Sequence, residues 1–304
     1  MHTPRITVAV GCLVATLVVS TNAPAQSQPQ VGADTPPSNT AADTATQAVE
    51  NPFSLQLNLD FTNAYFYHGI LQQDQGVIIQ PAAKLTMNLV KNDDFKLDAL
   101  LGTWNSFGKN GGTNTGDLIK DWYESDLIAG FVLTKDKLSL TTTYTFLTSP
   151  SDAYQTVQEL DFTLAFDDSD LLSKFALHPY ALLGIETGSD ASDGADSNPG
   201  TYLELGIAPG FSFDLGKTPV SVSFALSVGL SLHDYYQNAA GDDDTFGYFQ
   251  VGAKASVPLP FGDRFGQWTL NAGIAGLFLG DHTRAFNHGD DAEFIATVGL
   301  QLNF

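Results

Sequence analysis

The stretch Phe53-Ser54-Leu55-Gln56-Leu57-Asn58-Leu59-Asp60-Phe61 alternates apolar and polar residues without a fault. A period of two throws successive side chains to opposite faces of an extended chain, so this segment predicts a strand whose faces meet different environments. The pattern returns eleven more times. It places strands near 53–66, 76–90, 95–107, 122–134, 138–148, 156–166, 175–187, 201–214, 219–232, 246–258, 267–279 and 292–304. In one of them Val220, Val222, Phe224, Leu226, Val228, Leu230 and Leu232 share a face, and Ser221, Ser223, Ser227 and Ser231 share the other. No helix fits these windows.

Twelve strands could build a soluble sandwich, but three features point to a barrel in a membrane. The strands run to about 11–15 residues, longer than the usual 5–6 of soluble sheets and long enough to cross a bilayer at a tilt. Their connections alternate in length. Short ones fall at 91–94, 135–137 and 215–218, long polar ones at 67–75, 108–121, 188–200, 233–245 and 280–291, and 167–174 and 259–266 are intermediate. The strand count is even, which returns both ends of the wall to one side, and closure leaves no unpaired edge for lipid to meet. The expected fold is therefore all-β, a transmembrane antiparallel β-barrel of about 12 strands over residues 53–304. Phe53, Phe95, Phe146, Phe166, Phe175, Phe213, Trp268 and Phe304 sit near strand ends on the apolar face, where interfacial girdles belong. The terminal Phe304 resembles the carboxy-terminal signal read by barrel-assembly machinery, which makes that machinery, with outer-membrane lipid and lipopolysaccharide, an expected partner.

Composition narrows the classes further. The 304 residues carry 13 Lys plus Arg against 34 Asp plus Glu, a net charge of −21, with 11% aromatic residues. A disordered acidic chain would be poor in aromatics, and nothing here could displace the counterions of a nucleic acid. The single cysteine, Cys12, excludes a disulfide scaffold and a thiolate metal site. Arg5, the apolar run from Ile6 to Ser20 and Ala23-Pro24-Ala25 have the parts of a secretory signal peptide over 1–25. Cleavage at Gly11-Cys12 to give a lipoprotein would split that apolar run. Residues 26–52, rich in Gln, Pro, Ala, Thr and Ser, read as a flexible linker. The expected location is the cell outer membrane.

If the apolar face meets lipid, strand parity sends Asp60, Asp98, Glu124, Asp126, Glu159, Asp161, Glu186, Glu204 and Glu293 into the lumen, with Lys84, Lys96 and Lys254 opposing them. Rings of Asp and Glu make cation-preferring pores, so these residues predict passive diffusion of small polar or cationic solutes. The alternatives are inward charges that pair and plug a narrow barrel, or a closed structural or adhesive barrel whose outer loops bind a partner. His178 and Tyr180 also face inward. Asp190, Asp193, Asp196, Asp242, Asp243, Asp244, His282, His288, Asp290 and Asp291 make acidic loops, but the spacing around Gly194 breaks the register of a calcium loop. No cofactor is implied. An enzyme is not expected: the outer-membrane phospholipases carry a His-x-Ser-Asn-Gly element, and none of the six histidines begins one.

At the first hairpin the chain reads Tyr65-Phe66-Tyr67-His68-Gly69-Ile70-Leu71-Gln72, with Gln80-Pro81 in the next strand. This resembles the TorF-type porins, whose early strand ends Tyr-x-x-Arg-Gly-Ile/Val-x-Gln. The resemblance covers 53–107 and the aromatic terminus and implies an outer-membrane barrel. His68 stands where that family has Arg. Gly69 reads as a turn residue at the mouth, free to take positive φ, and His68 beside it as an exposed side chain able to titrate near neutral pH.

Overall fold

The computed structural model describes residues 52–109, 119–172, 176–192 and 198–304. The signal-peptide segment, the linker up to residue 51, Phe175, and the loop acids Asp193 and Asp196 lie outside the described residues.

The wall consists of β1 (Phe53–Thr62), β4 (Ile78–Lys91), β5 (Lys96–Phe107), β6 (Trp122–Lys135), β7 (Leu138–Thr148), β8 (Val157–Phe166), β9 (Tyr180–Glu186), β10 (Thr201–Ile207), β11 (Gly210–Leu215), β12 (Thr218–His233), β13 (Phe246–Leu259), β14 (Gln267–Leu279) and β15 (Ala292–Asn303). Each strand is antiparallel to its neighbours. β1 pairs with β15 and β4, and β10 and β11 both pair with β12, so the sheet closes on itself. β10 and β11 are two pieces of one strand, giving twelve positions around the barrel. The uninterrupted 201–214 strand expected from the sequence is broken at Ala208 and Pro209, because proline has no N–H to give the ladder. Pro209 O still accepts from the Phe224 N–H at 3.1 Å. A second departure is larger. The first strand ends at Thr62 rather than continuing to 66, and β2 (Tyr65–Tyr67) and β3 (Ile70–Gln73) form a separate hairpin.

The connections at 63–77, 149–156, 234–245 and 280–291 lie at one end of the barrel, and the tight turns lie at the other together with the longer β8–β9 connection at 167–179. At the turn end, Asp136 and Gly216 take φ of 53° and 69° in two-residue turns. The Asn92 side chain accepts the N–H groups of Asp94 and Phe95, both at 2.9 Å, to close the third. Two short helices, α1 (Ser169–Leu172) and α2 (Asp281–Phe286), lie in connections. The outward face is apolar around the wall: Leu101, Leu127, Phe131, Ile274, Phe278, Phe294 and Val298 are each at least half exposed. Phe53 and Phe304 stand exposed at the turn end, where the last residue pairs its backbone with Leu55. A sandwich would bury one face of each strand against a second sheet. Here the apolar face looks outward.

Candidate functional site

The β2–β3 hairpin leaves the wall because two side chains at the end of β1 substitute for backbone. Thr62 Oγ1 donates to Ala64 O at 2.9 Å. Asn63 Nδ2 donates to Phe294 O at 3.0 Å, and its Oδ1 accepts from Ala296 N at 2.6 Å, completing the β15 edge as the main chain turns away. His68 and Gly69 then make a two-residue turn with φ of 44° and 84°, the doubly left-handed geometry that suits a twisted hairpin. A β-carbon on Gly69 would lie 2.5 Å from Tyr248 Cδ1, so both φ and space require glycine. The turn is held by the 234–245 and 280–291 connections. Asn287 Nδ2 donates to Gly69 O at 2.9 Å, Leu71 N donates to Asn287 Oδ1 at 2.7 Å, and Tyr236 OH donates to His68 O at 2.8 Å.

Tyr65, Phe66, Tyr67, His68 and Ile70 are all buried as a result. The turn at Gly69 is as the sequence predicted, but its position is inside the barrel rather than at an exposed mouth. His68, 1% exposed, packs its ring 3.8 Å from that of Tyr202, and its Nε2 lies 3.1 Å from Glu159 Oε1. Burial pulls this imidazole down to about 4, against the upward pull of Asp161, Glu204 and Glu186. It is neutral at pH 7, and the contact with Glu159 is a hydrogen bond rather than an ion pair.

Six of the predicted lumen acids come together on the wall the hairpin touches. Glu124 and Asp126 project from β6, Glu159 and Asp161 from β8, Glu186 from β9 and Glu204 from β10, with Thr143 and Thr145 of β7 between them. Their partners are neutral donors. Tyr65 OH donates to Glu124 at 2.8 Å, Tyr235 OH to Glu159 at 3.3 Å and Thr143 Oγ1 to Asp161 at 3.4 Å. Glu186 accepts the N–H groups of Ser192 and Gly200, at 2.7 and 2.6 Å. Glu204 accepts Tyr180 OH at 2.6 Å, Tyr202 OH at 2.8 Å and also Tyr248 OH.

The other predicted charges lie elsewhere. Asp98 sits towards the turn end, 2.7 Å from Lys96 Nζ, whose own side chain is half exposed. Asp60 lies across the bore beside Gly299 and interacts electrostatically with Lys254. Glu293 is half-buried at the loop end of β15, and Lys84 faces inward from β4. His178 belongs to the turn before β9, with Nδ1 3.7 Å from both Asp167 and Asp168. Asp243 organises its loop by accepting from Ser231 Oγ, Asp234 N and Tyr236 N. Among the described residues no three His, Cys, Asp or Glu are grouped to hold a metal ion.

Sequence reading missed the tyrosines that solvate these acids. Parity already pointed Tyr202 and Tyr248 inward with Glu204 and Gln250, but nothing local placed Tyr235 and Tyr236, which reach the bore from a loop. A cavity of about 220 Å³ remains at the loop end, lined by Tyr67, Gln72, Glu124, Leu147, Tyr154 and Asp190 among others.

No protein-family model matches the sequence, and neither does any curated protein. Solved structures do resemble the chain. An outer membrane channel from Pseudomonas putida F1 is 11% identical with a TM-score of 0.46, covering 83% of this chain and 95% of its own. The NanC porin is 9% identical with a TM-score of 0.40, covering 81% and 98%. Outer membrane phospholipase A from Escherichia coli is 12% identical with a TM-score of 0.39, covering 82% and 92%.

Proposed function

We propose that this chain is an outer-membrane barrel of the channel type, passing small polar and cationic solutes, with the acidic loop half of the bore as its filter. The observation that carries the reading is the wall of six carboxylates on β6, β8, β9 and β10. It lies inside a barrel whose exterior is apolar, and tyrosine, threonine, histidine and backbone donors support it in place of lysine or arginine. Carboxylates aligned in a low-dielectric passage favour cations and disfavour anions. Strand length, the exposed apolar belt and the terminal Phe304 support residence in the outer membrane, and the reading is non-catalytic. The test is planar-bilayer recording of the purified protein across a KCl gradient. A reversal potential on the K⁺ side is expected, and a preference for Cl⁻ would overturn the reading.

The packing of the β2–β3 hairpin favours a second reading, a closed barrel whose long loops bind a partner. A folded protein that carries no current in the same recording would select it.

A further inference from the structure

We propose that the cavity at the loop end is a binding pocket for a small organic ammonium ion carrying an aromatic or aliphatic body. The inference rests on the channel reading above, and it names the solute class that the bore would meet first.

The lining divides by chemistry. Tyr67 from the hairpin and Tyr154 from the 149–156 connection supply aromatic surface, Leu147 and Val157 supply aliphatic surface, and Glu124 and Asp190 supply carboxylates. No lysine or arginine is among the described residues that line it. Glu124 is 2% exposed, held by Tyr65 OH at 2.8 Å, and Asp126 follows two residues along the same face of β6. Asp126 is as deeply buried, and its Oδ1 has no hydrogen-bond partner among the described residues. Glu124 and Asp126 hydrogen-bond each other, so the pair holds a proton, and an incoming cation supplies the countercharge that its remaining carboxylate lacks.

The kind of cation follows from the rest of the lining. Hard divalent ions need six or more oxygen ligands, and no three acidic or histidine groups are disposed for a metal among the described residues. An ammonium needs one carboxylate and an aromatic face, and both are present. The apolar portion of the lining would cover the body of the ligand. The volume of about 220 Å³ exceeds the roughly 150 Å³ that holds benzene in an engineered apolar cavity. It therefore suits a molecule of the size of an arylalkylamine.

The test is isothermal titration of the full chain in detergent with tyramine, using 4-ethylphenol as the uncharged match. Saturable one-site binding of tyramine below about 1 mM is expected, with no saturable binding of 4-ethylphenol. Glu124→Gln should weaken tyramine at least tenfold. Asp190→Asn, a change in a loop that does not threaten the barrel, should weaken it several-fold. Equal binding of the two compounds, no tyramine binding, or unchanged affinity in both variants would overturn the proposal. K⁺ recordings on the same preparation separate the two readings. Current without tyramine binding removes only the pocket, whereas tyramine binding without current removes only the channel.

Discussion

The two halves of the bore are built from the same strands and differ in almost everything else. Towards the turn end the inward positions carry short polar side chains: Asn58, Thr86, Thr163, Ser256 and Gln301 are half-buried, as are Lys84 and Lys254, and Thr141, Ser223 and Asn271 are buried. Towards the loop end they are Tyr65, Tyr202, Tyr235, Tyr236 and Tyr248, none more than 1% exposed, closed around six carboxylates. One half is a vestibule of short polar side chains. The other is a packed core with the hydrogen-bonding demands of a polar one. A barrel wall alone imposes neither outcome. The difference comes from eleven residues, 63–73, that the wall expels inward, and from the loops at 234–245 and 280–291 that close on them.

The comparison breaks first at Phe66. It is buried in the cluster with Ile70, Tyr202, Tyr235 and Leu277, so Phe66→Ala should destabilise the folded state by about 3–5 kcal/mol in chemical denaturation from micelles. Thr86→Ala, in the vestibule, should fall within about 0.5 kcal/mol of the parent. Asn287→Ala removes two of the three hydrogen bonds that hold the hairpin turn and leaves Gly69 O and Leu71 N unsatisfied. A cost of about 1–3 kcal/mol follows, and faster amide exchange at Leu71 is the local check. Tyr236→Phe removes the hydrogen bond to His68 O and should cost about 1 kcal/mol.

A further effect is a pH dependence. His68 is held down to about 4 in the packed state, while a released hairpin would return it to about 6.5. Neutral imidazole therefore supports packing fully above about 6.5, and that support declines as the pH falls towards 4. Glu159, Asp161, Glu186 and Glu204 face His68 from the wall, so the His68 contribution is read as the difference between the parent and His68→Gln. Protease accessibility of the 63–77 segment at pH 7 and pH 5 should rise more in the parent than in the variant.

Much of this was legible in the sequence because a barrel wall is a periodic object. Alternation fixes both the strand and the side that each residue faces, which is why Glu124, Asp126, Glu159, Asp161, Glu186 and Glu204 could be assigned inward from parity alone. The hairpin was not legible in that way. Tyr65, Phe66, Tyr67 and Ile70 are large on every face, and a periodicity argument extends the first strand through Tyr65 and Phe66 and leaves the rest to a connection. The one local clue was Thr62-Asn63, where two polar residues interrupt the alternation. Which acids gather and which stay apart, as Asp98 and Asp60 do, depends on stagger around the barrel, and a linear sequence does not record it. Tyr236 and Asn287 act across more than 160 residues of chain, and Tyr235 across 76, from loops with no period to read.

The account turns on the hairpin occupying an acidic passage. Replacing residues 64–74 with a short Gly-Ser segment and recording single channels beside the intact protein tests this directly. The hairpin-free barrel should carry at least several times the current of the parent and should keep its preference for K⁺ over Cl⁻. A current no larger than the parent's, or one carried mainly by Cl⁻, would contradict it.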